Sequence, residues 1–578
     1  MPIAALRRRH LIVPVIAMLA VCALVMPCGA QSSAPPVTAR HGMVASDHQL
    51  ASAAGARVLQ QGGNAVDAAI ATALALAVVH PSAGNVGGGG FLVYCDSQGL
   101  ATTYDFRETA PAAATERMFL DARGAVRDTS NHVGPLAVGT PGTVAGLWLA
   151  HQRHGRLPWA TLVQPAIDLA QGGFPLSPGM SDWCDRLAKT TNPLYAATRA
   201  AFLDADGRPL LPGTTLRQPD LAATLTRIRD HGRDGFYTGE TARLLAAFMR
   251  DHGGLITEAD LAAYQAVERE PVRGTYRGYD IIGMGPPSSG GTAIIEMLNM
   301  LEADDLSQLK PGSAPYLHLL SEVMRRAYAD RAQYLGDPAY NKVIPLERLL
   351  SKAYAAKLRA TIDPARATPS DSSLFGAGWM PHESEQTTHL SVVDAGGGAV
   401  SLTYTLEETF GSGLVAPGTG FILNNEMGDF NAIPGLTNRS GTIGTAPNLV
   451  APGKRMLSSM SPVIVTRGGA PVLVVGSPGG RTIINTVLQV MLNVIDHDLD
   501  IRAAIEAPRI HHQWLPDVTQ YEARGFAPEE RRRLEAMGHA LRKRQVQGCA
   551  MGIFVDPATG VRSGAADSRS VEGGVAGY

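Results

Sequence analysis

The amino-acid sequence predicts a layered protein of mixed helices and strands, in the α/β or α+β class. Three observations carry this expectation. Residues 390–393 and 399–406 read as a strand hairpin around Asp394-Ala395-Gly396-Gly397-Gly398. A second hairpin joins 462–466 to 471–476 through Arg467-Gly468-Gly469. Apolar helical segments, clearest over 65–79 and 482–495, alternate with these strand blocks. Such blocks bury their apolar faces by stacking in layers.

The elements follow in order. Arg7, Arg8 and Arg9 form a basic start, 11–26 is an apolar run broken only by Pro14, and Cys28-Gly29-Ala30 ends in small residues. Gln31 then opens a polar stretch. This is the pattern of a cleaved secretory signal over residues 1–30, which makes the mature protein periplasmic or secreted. No later segment reaches the ~18 uninterrupted apolar residues of a spanning helix, so no membrane association is expected once the signal is removed. Residues 31–42 are a polar lead-in, 46–59 read as a helix, and Gly62-Gly63-Asn64 as a turn. Asn64 is placed to cap the Ala-rich helix 65–79, which is apolar nearly all round and therefore expected to be buried. Pro81 stops it, and glycines at 84 and 87–90 lead into a strand at 91–94. The middle third, to about Ile362, is mostly helical patterning broken by Gly/Pro loops. Residues 363–386 are rich in Pro, Ser, Gly, Ala and acid, the composition of a flexible connection. That connection stops abruptly at Thr387-Thr388-His389, where the first hairpin begins.

Composition excludes several classes. The 578 residues carry 50 Lys+Arg against 52 Asp+Glu, a net charge of −2, which gives no electrostatic footprint for nucleic acid. With 45% hydrophobic and 18% charged residues the chain is not disordered. Length alone would allow three or four domains. Beyond the signal, Cys95, Cys184 and Cys549 form no CxxC and no disulfide framework, and at least one has no intrachain partner. There is no HExxH, GxSxG or Walker A motif. The glycines at 87–90 lie between a helix and a strand, the reverse of the dinucleotide-binding order. His511-His512 has no Cys or carboxylate at ligand spacing and reads as structural.

What is left is Thr387. A threonine hydroxyl is a poor nucleophile without an adjacent base. A threonine that becomes an N-terminus has one: its own α-amino group, with a reference pKa near 8. This chemistry requires a break before Thr387. Taken alone, a threonine at a strand start is simply a β-branched strand residue.

The surrounding residues raise its significance. The segment from Gln386 to Asp394, Gln-Thr-Thr-His-Leu-Ser-Val-Val-Asp, resembles the processing site of the γ-glutamyltranspeptidase family. The resemblance extends along nearly the whole mature chain. It includes Gly62-Gly63-Asn64-Ala65-Val66-Asp67, Gly84-Asn85-Val86-Gly87-Gly88-Gly89-Gly90, Asp105-Phe106-Arg107-Glu108, Pro286-Pro287-Ser288-Ser289-Gly290-Gly291, Leu457-Ser458-Ser459-Met460-Ser461-Pro462 and Gly476-Ser477-Pro478-Gly479-Gly480. It implies an α+β fold, the four-layer αββα sandwich of N-terminal-nucleophile hydrolases. Two chains from one precursor would build it: a large subunit 31–386 and a small subunit 387–578, separated by self-cleavage between Gln386 and Thr387.

The resemblance also implies roles. Thr387 is the nucleophile of self-cleavage and then of attack on a γ-glutamyl amide, with the Thr405 hydroxyl hydrogen-bonded to it. Gly479 and Gly480, before a helix, offer backbone N–H donors to an oxyanion. A γ-glutamyl group carries a carboxylate and an ammonium, so its pocket needs a cation at one end and anions at the other. Arg107 with Ser458 and Ser459 fits the carboxylate. Glu407, Glu426 and Asp429 fit the ammonium, although many relatives have an amide in place of Glu407. Residues 434–445 align with a loop that lids this pocket in several relatives, and Ser440 stands where they have a tyrosine. The implied activity is transfer of the γ-glutamyl group of glutathione to water, amino acids or dipeptides, with no metal or organic cofactor. The rivals are an acylase for glutaryl-type β-lactam side chains on the same fold and a non-catalytic periplasmic binding protein.

Overall fold

The computed structural model describes residues 34–127, 129–370 and 387–578. The expected signal 1–30, Gln386 and most of the connection before it lie outside the described residues.

Two seven-stranded antiparallel sheets form the centre. One runs in the order Val37–Ala39, Arg562–Ala566, Met551–Val555, Ala470–Gly476, Val463–Arg467, Tyr279–Gly283, Val272–Tyr276. The other runs Gly574–Gly577, Met43–Ser46, Thr388–Val393, Ala399–Thr405, Gly89–Cys95, Ala101–Asp105, Val267–Arg269. Each sheet therefore takes strands from both sides of residue 387. The separate domains that length alone would allow give way to two sheets that both parts of the chain share.

Alternation along each strand sorts side chains between layers. In the second sheet Val44, Leu92, Leu390, Val392 and Leu402 pack against helices Gln49–Gln60 and Ala65–Val79. Ala45, Phe91 and Val93 turn the other way, toward the first sheet. The outer face of that first sheet is covered by helices Gly290–Leu301, Ala314–Tyr334 and Thr482–Ile495. The order is helix, sheet, sheet, helix: the four-layer αββα sandwich.

Local chemistry explains the helix boundaries. Asn64 accepts from the Asp67 N–H and Asp67 reaches back to the Asn64 N–H, a capping box that starts Ala65–Val79, whose residues are all buried. The N-terminal expectation needs correction. Met43–Ser46 is a strand, Val37–Ala39 lies inside the expected lead-in, and the helix starts only at Gln49, capped by His48. Pairing of Met43–Ser46 with both Thr388–Val393 and Gly574–Gly577 overrides the local pattern.

The hairpin Thr388–Val393/Ala399–Thr405 sits in the middle of the second sheet, and its inner face is polar. His389 shares hydrogen bonds with Thr403 Oγ1 (2.8 Å) and Ser391 Oγ (3.0 Å). Ser391 donates to the carbonyl of Val474 (3.2 Å), and Ser401 to that of Val475 (3.1 Å), in the facing sheet. Gly476 makes room for this seam: a Cβ there would lie 2.3 Å from the His389 ring. Burial pushes the His389 imidazole down to about 3, so it is neutral. An unfolded imidazole titrates near 6.5. The stability His389 contributes is therefore complete above about pH 6.5 and is lost as pH falls toward about 3. Between these limits one such group adds a slope of ~1.4 kcal/mol per pH unit. Denaturant unfolding between pH 7 and 4 is expected to show a shallower stability loss for His389→Gln than for wild type. An unchanged slope would contradict a neutral buried imidazole.

Candidate active site

Arg107 follows the strand Ala101–Asp105, and the preceding aspartate holds its backbone. The Asp105 carboxylate accepts from the Arg107 N–H (3.0 Å) and pairs with Arg269 (2.8 Å) and Arg455 (3.3 Å). The Tyr264 hydroxyl donates to the Arg107 carbonyl (2.7 Å). So anchored, the Arg107 side chain is fully buried. Its guanidinium donates to Glu426, Asp429 and the carbonyl of Met456. Burial alone would lower its pKa, but Glu426, Asp429 and Glu108 outweigh it and keep the guanidinium charged.

The expected division, with a cation at one end of the pocket and acids at the other, is therefore not what the structure has. Arg107 touches two of the three expected acids directly. A buried guanidinium left unpaired would be strongly unfavourable, and these carboxylates compensate it.

Thr387 and Thr405 face each other across the end of the central hairpin. The register pairs Thr388 with Tyr404, and the Thr387 hydroxyl donates to Thr405 Oγ1 at 3.4 Å. Thr405 Oγ1 also accepts from the Glu407 N–H (2.9 Å), which helps hold Glu407 at φ +82°. Gly88 is required behind this pair, because a Cβ there would lie 2.0 Å from the Thr405 carbonyl oxygen.

Thr387, Thr405, Arg107, Glu407, Glu426, Asp429, Ser458, Ser459 and Gly480 line one cavity, completed by Met460 and Ile483. Residues far apart in sequence thus line one cavity. Gly479 does not line the cavity but adjoins it through Gly480. Both glycines have positive φ (133° and 54°), and their carbonyls accept from Thr482 and Ile483 at the start of helix Thr482–Ile495. Ser440 does not line the cavity either; its N–H donates to Asn438 Oδ1 (3.0 Å) within its own loop.

Two functional-looking residues were not anticipated. Arg331, on helix Ala314–Tyr334, donates to Ser459 Oγ and Ser289 Oγ, both at 2.9 Å, and so fixes the serine wall. Nothing local in the sequence marks it. Glu108 is fully buried 3.6 Å from the Arg107 guanidinium. Burial pushes its carboxyl up to about 8 against the pull of Arg107. Its place beside Arg107 in the Asp105–Glu108 block was the available signal.

The remaining sequence features are structural. His511 bonds Asn485 (2.7 Å) and Gln513 (2.8 Å), and His512 bonds Asp517 (3.2 Å). Cys95, Cys184 and Cys549 are free thiols, the first two buried.

Comparison with known proteins agrees with this geometry. A family model described as gamma-glutamyltranspeptidase matches residues 51–578. The chain is 47% identical over 543 residues to the glutathione hydrolase proenzyme of Escherichia coli, covering 94% of this chain and 93% of that one. It is 40% identical over 546 residues to the Acylase ACY 1 proenzyme of a Pseudomonas species, covering 93% of each. The crystal structure of cephalosporin acylase from Bacillus halodurans superimposes with a TM-score of 0.82 at 29% identity, over 95% of this chain and 97% of that one. The cavity, the hairpin and the match over most of the sequence converge: the chain belongs to the gamma-glutamyltranspeptidase family.

Proposed function

We propose that this chain is a self-processing γ-glutamyltransferase and glutathione hydrolase. The Thr387 hydroxyl attacks the Gln386 carbonyl, and the ester formed is hydrolysed to leave subunits 31–386 and 387–578. Thr387, now an N-terminus, attacks the γ-carbonyl of a γ-glutamyl donor while its own amine accepts the hydroxyl proton. The N–H groups around Gly479 and Gly480 receive the developing oxyanion; one such donor is worth about 3 kcal/mol of barrier. Collapse expels the donor's amine and leaves a γ-glutamyl ester on Thr387. Water, an amino acid or a dipeptide then takes the group. The basic and apolar start of the sequence supports placing the processed pair in the periplasm or outside the cell, and among the described residues no helix is long and apolar enough to cross a membrane.

One observation carries the choice of donor: Arg107 is ion-paired with Glu426 and Asp429 inside the cavity that holds Thr387. A zwitterionic γ-glutamyl head can exchange into that cluster without losing ion pairs. Its carboxylate takes over Arg107, and its ammonium takes over the carboxylates that Arg107 releases. Ser458 and Ser459 flank the carboxylate, with Arg331 holding Ser459. Glu407 adds a third acceptor near the ammonium. Ser440 stands where several relatives have a lid tyrosine and supplies no aromatic wall of its own.

The acylase alternative has support from the Acylase ACY 1 relative and the cephalosporin acylase structure. A glutaryl group has a carboxylate and no ammonium. On taking Arg107 it would leave the buried Glu426 without its cation, a penalty of about 3–5 kcal/mol. A non-catalytic binding protein would have no use for the Thr387–Thr405 pair.

Intact-mass analysis of purified protein tests self-cleavage. Wild type is expected as two chains, one beginning at Thr387, and Thr387→Ala as a single uncut chain. A wild type that stays uncut yet hydrolyses a γ-glutamyl anilide would refute the mechanism. Donor choice is tested by comparing γ-glutamyl and glutaryl anilides. The γ-glutamyl compound is expected to have the higher kcat/KM by at least about 100-fold, the factor that a ~3 kcal/mol penalty gives. Faster glutaryl cleavage would sink this assignment.

A further inference from the structure

Glu407 also faces away from the ion-paired cluster, toward His132. The imidazole Nδ1 of His132 lies 3.7 Å from Glu407 Oε2 and 3.9 Å from Glu408 Oε1. It is buried and has no hydrogen-bond partner. These separations are too long for hydrogen bonds. They are close to the ~3.3 Å between ligand atoms held at ~2.0 Å around a tetrahedral ion. We propose that His132, Glu407 and Glu408 form a binding site for a divalent first-row transition-metal ion beside the donor pocket.

The local construction fits this purpose. Consecutive residues of an extended chain point to opposite sides. The left-handed backbone at Glu407 (φ +82°) instead turns two successive carboxylates toward one imidazole. Asn425 ties the two halves together: its Nδ2 donates to the His132 carbonyl (3.0 Å) and its Oδ1 accepts from the Glu408 N–H (3.1 Å). Gly428 leaves space at the ring, since a Cβ there would lie 2.3 Å from His132 Nδ1. One imidazole and two carboxylates suit a borderline divalent ion, with water in the remaining positions. A second convergence, His318, Glu322 and His539, is built differently. Its two imidazoles are hydrogen-bonded to each other at 2.8 Å, whereas His132 Nδ1 accepts or donates no hydrogen bond.

A bound ion would hold the Glu407 carboxylate on the metal and away from the donor's ammonium. This consequence rests on the γ-glutamyl assignment; the binding itself does not. The site thereby acts as a brake on donor affinity and has no part in the chemical step.

The test uses the processed protein, stripped with chelator and titrated with Co²⁺, followed by its visible absorption and by equilibrium dialysis. One Co²⁺ per processed pair is expected, displaceable by Zn²⁺. His132→Ala and Glu408→Gln are each expected to weaken Co²⁺ binding by at least about tenfold. Glu408→Gln serves as the folding control through retained self-cleavage. Saturating Zn²⁺ should raise the KM for a γ-glutamyl anilide in wild type and leave it unchanged in Glu408→Gln. No bound Co²⁺, or equal affinity in wild type and both variants, overturns the site. Because binding is read without turnover, that result would leave the γ-glutamyl assignment standing. Co²⁺ binding with no effect of Zn²⁺ on the wild-type KM overturns the coupling through Glu407.

Discussion

The register of one hairpin decides where the chemistry can occur. With Thr388 opposite Tyr404 and His389 opposite Thr403, residues 387, 389 and 391 share a face with 401, 403 and 405. Leu390, Val392, Val400, Leu402 and Tyr404 take the opposite face and join the core under the outer helices. A slip of one residue would exchange these faces, burying Thr387 among helices and turning leucines into the polar seam. The hydrogen bonds of His389, Ser391 and Ser401, and the space left by Gly476, hold the hairpin against the facing sheet and fix that register.

Around this fixed point the site is organised by buried charge. Arg107 cannot sit fully buried without counter-ions, and Glu426 and Asp429 supply them. Glu108 lies beside the same guanidinium, and burial pushes its carboxyl up to about 8 against the pull of Arg107. The cluster of Arg107, Glu426 and Asp429 thus imitates the salt pairs that a zwitterion would make. On the proposed mechanism the pocket favours γ-glutamyl donors through exchange of partners within a preformed network, with no new burial of charge. Glu407 stands at the margin of that network. It lines the donor cavity and also faces His132, so donor recognition and the proposed metal site draw on the same carboxylate.

Much of this was legible where the determining interactions are local. The Asn64 cap and the uniformly apolar run after it place Ala65–Val79 correctly. The glycines before Thr482 mark the start of helix Thr482–Ile495, and glycine-bearing turns mark both hairpins. The site residues were legible as a set because motif order supplied the contacts that no single motif reveals. Nonlocal pairing was not legible. Met43–Ser46 is a strand because of partners more than 300 residues away. Arg331 belongs to the serine wall through helix Ala314–Tyr334, far in sequence from Ser459. The direct contact of Arg107 with Glu426 and Asp429 is also invisible locally. Charge types can be matched to a ligand from sequence, but which charges neutralise each other without the ligand depends on packing.

On the proposed mechanism a γ-glutamyl group rests covalently on the Thr387 hydroxyl during turnover. The direct measurement is rapid acid quench of the processed protein with a γ-glutamyl anilide, followed by peptide mass spectrometry of the small subunit. The expected result is a γ-glutamyl mass increment confined to the N-terminal peptide and located on Thr387. An increment on another residue, or sustained turnover with no modified Thr387 peptide at any quench time, would contradict the account.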